Sequence, residues 1–202
     1  MKKLIALVFL CITVSSKAQL RLPGKSGAKQ SEKSATPSIK TDIEKVARDL
    51  YQGFNNIKGD TLMQATNTIK FASKVIPVGA TDCYVIKHPY PNSYSWQAVM
   101  FESEEFSEAV AKYRTFYRQL TGTTITFYDK SSYKLTGEYD TPDEGRAFAS
   151  SMLHLHGARE SMKSLKIDIG LNYSFPQWQV TILVYEKVPD EDIRPTGNGH
   201  LY

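Results

Sequence analysis

Leu165-Lys166-Ile167-Asp168-Ile169-Gly170-Leu171 places an apolar residue at every second position without a break. Side chains in a strand alternate between faces, so this segment predicts a sheet with one face on a core and the other in water. Further runs rich in β-branched and aromatic residues predict strands at Tyr84–Lys87, Ser95–Ser103, Thr123–Asp129, Tyr133–Tyr139, Lys163–Leu171 and Trp178–Lys187. The short connections between them favour antiparallel pairing.

Two segments have helical periodicity. Thr41-Asp42-Ile43-Glu44 has the form of a capping box, and Ile43, Val46, Ala47, Leu50 and Phe54 then form one apolar stripe, with Gly59 as the expected stop. After Ser103, Glu104 and Glu105 stand at the positive end of a second helix. Its stripe is Phe106, Ala109, Val110, Tyr113, Tyr117 and Leu120, and Gly122 ends it. Thr141-Pro142-Asp143-Glu144 reads as another helix start, predicting a short helix over 142–149 before a strand at 150–156. The expected fold is α+β: an antiparallel sheet packed by two main helices, in one domain over 41–188.

Similar residues recur at nearly constant offset. Phe71-Ala72-Ser73 matches Phe148-Ala149-Ser150, Gly79-Ala80 matches Gly157-Ala158, and Trp96-Gln97 matches Trp178-Gln179. This predicts a duplicated helix–hairpin–strand unit over 41–103 and 104–188, with an extra hairpin at 123–139. The alternative is two similar β-meanders.

The N-terminus bears on location. Lys2 and Lys3 precede the apolar run Leu4–Val14, and Ser16-Lys17-Ala18 places small residues before a cut after Ala18. That order predicts a signal peptide over 1–18 and a secreted or periplasmic protein. Leu10 before Cys11 does not fit a lipidation site. The run is too short for a stable span, so no transmembrane segment is expected in the mature chain. Cleavage removes Lys2, Lys3 and Lys17 with no acid, taking the formal charge from +4 to +1. It also leaves Cys83 alone, so no intramolecular disulfide is expected and the fold must rest on core burial. Cys83 itself reads as a small buried side chain in a strand.

Residues 19–40, rich in Ser, Lys, Gly, Ala and Pro, read as a flexible leader, and 189–202 as a polar tail. The leader holds five basic residues against Glu32, whereas 41–202 holds 17 Lys and Arg against 20 Asp and Glu. A folded nucleic-acid surface is therefore not expected.

Three groups of residues bear on chemistry. His154 and His156 share one face of a strand and, with Asp168 from a neighbouring strand, make a candidate metal site; the competing reading is a solvent face. Glu102, Glu104, Glu105 and Glu108 cluster where a helix dipole favours acids, which reads as a solvated helix start. The aromatic turns His88–Trp96 and Asn172–Trp178 supply Tyr90, Tyr94, Trp96, Tyr173, Phe175 and Trp178 as candidate ligand-binding residues. Tyrosine and tryptophan offer large rigid faces with a polar tip. The alternative places both tryptophans in the core. Nucleophile-elbow, phosphate-loop and zinc-protease motifs are missing, and no cofactor is implied. The functional expectation is an exported, non-catalytic module binding a protein or glycan through its aromatic turns, with a metal-handling protein or hydrolase centred on His154, His156 and Asp168 as the alternative.

Overall fold

Period-two alternation recurs in strand after strand and gathers them all into one sheet. The computed structural model describes residues 38–89 and 93–187. The signal peptide, the leader up to residue 37, Tyr90 and the tail lie outside the described residues. Helix α1 spans Ile39–Asp49 and is followed by a 3-10 turn at Leu50–Gln52. Strands β1 (Lys58–Ala65), β2 (Thr68–Ser73), β3 (Asp82–Lys87) and β4 (Tyr94–Ser103) come next. Helix α2 (Phe106–Leu120) leads into β5 (Thr124–Thr126), β6 (Ser132–Thr136), β7 (Phe148–His156), β8 (Leu165–Ser174) and β9 (Gln177–Glu186). All nine strands form one antiparallel sheet in the order β1-β2-β3-β4-β9-β8-β7-β6-β5.

The expected α+β architecture is therefore corrected to a mostly β fold in which two short helices cover one face of a single large sheet. Part of the difference is the β1–β2 hairpin, whose exposed, polar β1 has no apolar alternation to announce it. The expected helix over 142–149 does not form. Asp143 instead accepts the Gly145 N–H (2.7 Å), and Asp140 accepts Arg146 Nη2 (3.0 Å) and the Ser150 N–H (3.1 Å). Local side-chain bonds of this kind compete with a helix for the same backbone donors. Strand β7 then begins at Phe148.

Helix α1 also starts earlier than expected. Ser38 occupies the cap and accepts the Lys40 N–H, so 38–40 belong to the fold rather than to the leader. The chain leaves this helical segment at Gly53, not Gly59, because Gly53 adopts the left-handed conformation (φ 61°) that glycine tolerates without strain. Gly59 lies within β1.

The helices cover the inner face of the sheet. The row Val85, Trp96, Val184, Ile167 and Leu153 crosses five strands with every member fully buried. Ile43, Val46 and Ala47 of α1 and Ala109, Tyr113 and Leu120 of α2 close over this core. The Tyr113 hydroxyl lies 2.6 Å from Ser151 Oγ, pinning α2 to β7 through two buried polar atoms. Helix α1 also seals the β5 edge: Glu44 accepts the Thr126 N–H (3.1 Å) and Arg48 donates to the Thr126 carbonyl. An edge covered in this way offers no template for a further strand. Among the described residues, no helix is long and apolar enough to cross a membrane.

The expected helix–hairpin–strand units are replaced by a helix plus a longer meander in each half. Phe71-Ala72-Ser73 and Phe148-Ala149-Ser150 fall on β2 and β7, each the third strand out from the β4–β9 seam. Trp96 and Trp178 fall on the two seam strands themselves.

One buried carboxylate holds the turn after α1. Asp49, 1% exposed, accepts the N–H groups of Asn56 (3.0 Å) and Ile57 (3.2 Å) together with the Asn56 side-chain amide. Replacing it with alanine orphans these donors, so Asp49→Ala is expected to cost about 2–4 kcal/mol in guanidinium unfolding. An unchanged midpoint would show that the turn holds without it.

Candidate functional site

Among the described residues no helix covers the outer face of the sheet, and cross-strand register decides which of its side chains meet. Tyr84, Gln97, Leu183, Asp168 and Met152 form one row across β3, β4, β9, β8 and β7. The adjacent row runs Ile86, Ser95, Tyr185, Lys166 and His154. Between them lies a recess of about 360 Å³ containing His88, Ser95, Gln97, Asp168, Leu183 and Tyr185. His88 Nε2 sits 2.9 Å from the buried Ser95 Oγ, and Ser150 Oγ donates to Asp168 Oδ1 at 2.6 Å.

Burial raises the Asp168 carboxyl above the ordinary carboxylate range, and the Ser150 bond offsets only part of that shift. Burial also raises the Tyr185 phenol, with the nearby Asp168 charge adding to the effect. The recess therefore holds the Asp168 carboxyl and the Tyr185 phenol where burial disfavours their charged forms. The Ser95–His88 contact resembles a nucleophile beside its base. Strands pair on both sides of Ser95, however, committing the backbone N–H groups around it to the sheet rather than to an oxyanion. The arrangement suits holding a ligand.

A second feature lies at the opposite end of the β4–β9 ladder, which runs from Ser95↔Tyr185 to Ser103↔Trp178. Here Trp178 is buried between the rings of Phe106 (4.8 Å between centroids) and Tyr173 (5.0 Å). Tyr173 is 44% exposed, Phe175 86% and Phe148 63%. A cleft of about 440 Å³ beside these rings is lined by Glu104, Glu144, Tyr173, Pro176 and Trp178.

The six aromatic residues singled out from sequence thus separate. Trp96 is fully buried and donates its indole N–H to Ser73 Oγ (3.0 Å), so it is core and offers no ligand face. Trp178 is buried with only its neighbours' rings near the surface. Tyr94 is half-buried, with Lys58 Nζ 5.0 Å from its ring centroid, and Tyr90 lies outside the described residues. Tyr173 combines exposure with a place in the cleft wall, and Phe175 is exposed in the turn next to it. Because β4 and β9 run antiparallel, the two aromatic turns point to opposite ends of the sheet and form no common surface.

The proposed metal trio is likewise not assembled. His154 faces Lys166 and Thr136, and His156 faces Lys134, while Asp168 faces Met152 and bonds to Ser150. Lysines opposite both imidazoles oppose a cation, and no group of three His, Cys, Asp or Glu gathers among the described residues. The half-buried Cys83 thiol donates to the Val75 carbonyl (3.1 Å), and burial pushes its pKa up to about 11, leaving it protonated and unreactive at neutral pH.

Sequence reasoning missed Gln97 and Tyr185, and treated His88 only as part of a turn. These residues acquire meaning from register, which sequence does not display. Comparisons with protein-family models, with curated proteins and with solved structures find no match to this chain. Function is therefore read from geometry.

The raised Asp168 pKa has a defined consequence for stability. The folded state holds this proton more tightly than the unfolded chain, so the stabilising contribution is present in acid and is lost as pH rises through the folded value. Asp168→Asn removes the buried charge. At neutral pH it is expected to raise the melting temperature by a few degrees, with the gap closing below about pH 3, where both forms are neutral. A lower melting temperature at neutral pH would show that the carboxylate is a net stabiliser.

Proposed function

We propose that this chain is an exported, non-catalytic binding module that grips a basic segment of a partner protein through the Tyr173–Phe175 end of its sheet. The observation that carries this reading is Phe175, 86% exposed in the β8–β9 turn, two residues on from the half-exposed Tyr173. An aromatic ring exposed to water lowers its free energy when a partner covers it, and such rings serve as anchors in protein interfaces. Glu104 and Glu144 flank the adjoining cleft, so a lysine or arginine of the partner would meet both carboxylates and an aromatic wall. The Phe106–Trp178–Tyr173 stack holds that wall in place, which limits the ordering cost on binding. Export rests on the order of residues 2–18 and places the partner outside the cytoplasm.

The test is affinity capture from an envelope fraction, with the recovered protein identified by mass spectrometry. Tyr173→Ser combined with Phe175→Ser is expected to reduce recovery at least tenfold, and Glu104→Lys combined with Glu144→Lys to do the same. Melting temperatures should change little, because these side chains are mostly at the surface. Recovery unchanged in both double variants would refute the reading.

A further inference from the structure

The recess on the outer face lies at the other end of the β4–β9 ladder from Phe175, and nothing in the partner reading uses it. We propose that it binds a small neutral saccharide. Its volume of about 360 Å³ falls at the lower end of the range for small-molecule sites. Its polar groups are of complementary kinds. Asp168 accepts from Ser150 through Oδ1, while Oδ2 accepts no hydrogen bond among the described residues. Gln97, one place along the same row beyond Leu183, offers a carboxamide that both donates and accepts. Tyr185 adds a phenol, and the His88–Ser95 contact holds an imidazole against the wall.

A sugar hydroxyl donates one hydrogen bond and accepts others, so acceptors and donors set side by side can hold two adjacent hydroxyls. The C–H face of the ring is apolar and matches Leu183 and the Tyr185 ring. Charge argues for neutrality. Asp168 inside the recess repels an anion, whereas Lys166 beside Tyr185 opposes a cation. A neutral ligand rich in hydroxyls satisfies both constraints.

The test is isothermal titration calorimetry on the full chain with glucose, galactose, mannose, N-acetylglucosamine and their disaccharides. Glucosamine and glucuronate serve as charged counterparts. At least one neutral sugar is expected to bind saturably. Asp168→Asn should weaken that binding about tenfold or more, since bonds to a charged acceptor exceed those to a neutral one. The same variant should melt no lower than the parent at neutral pH, which separates lost binding from lost folding. Gln97→Ala should weaken binding as well, while Tyr173→Ser with Phe175→Ser should leave it unchanged. The proposal is overturned if no neutral sugar saturates, if only a charged counterpart binds, or if Asp168→Asn leaves the affinity as it was.

Discussion

Everything in this fold depends on one non-local pairing. Strands β1 to β4 pair with their neighbours in sequence, and so do β5 to β9; among the strand pairings of the described residues, only the β4–β9 ladder joins strands far apart in the chain. The bond from Gln179 to Glu102 along that ladder spans 77 positions. Closing so long a loop costs entropy before any contact is gained, and the cost must be met where the strands meet. The inner sides of the two strands meet that need. Trp96 lies against Val184, and Ala98 against Ile182, all fully buried. Helix α2, which connects the two halves in sequence, packs on this same seam through Phe106 over Trp178. The connection that creates the entropic cost thus also supplies the cover that offsets it.

Legibility in the sequence followed the amount of surface each element buries. The α2 stripe and the alternation in β8 were readable because a helix face or a full strand face enters the core there. Hairpin β1–β2 was not readable, since β1 is an edge strand that is mostly exposed and carries register irregularities, and so needs no apolar side. The helix signal at Thr141-Pro142-Asp143-Glu144 misled for a different reason: capping residues bond to nearby backbone whether or not a helix follows, and here Asp143 turns back on Gly145.

The candidate sites show a sharper limit. Composition identified aromatic residues, and alternation placed His154 and His156 on one face, but neither says which strand lies opposite which. Register sets Asp168 against Met152 and Leu183 rather than against a histidine, and thereby converts a supposed metal trio into a carboxylate beside a carboxamide and a phenol. Antiparallel pairing at the seam sends two turns of similar composition to opposite ends of the molecule. Residues such as Gln97 and Tyr185 attract no notice one at a time, because each reads as an ordinary outward position of a strand.

The two faces of the sheet answer to different demands. On the inner face almost every position is apolar, and a change there is felt through packing. On the outer face no helix of the described residues provides cover, yet Ser95, Val99 and Thr181 are as buried as many core residues. Such positions escape the volume constraints of the core while still excluding much of the water. That combination is what a ligand recess requires: polar groups that need not pack against a helix, in surroundings dry enough to strengthen each hydrogen bond. Asp168 has a cost under this arrangement, since a half-buried carboxylate with its proton held too tightly works against the folded state at neutral pH. A fold held together by its other face can carry that cost, and a strained group in a recess is where binding chemistry is ordinarily found.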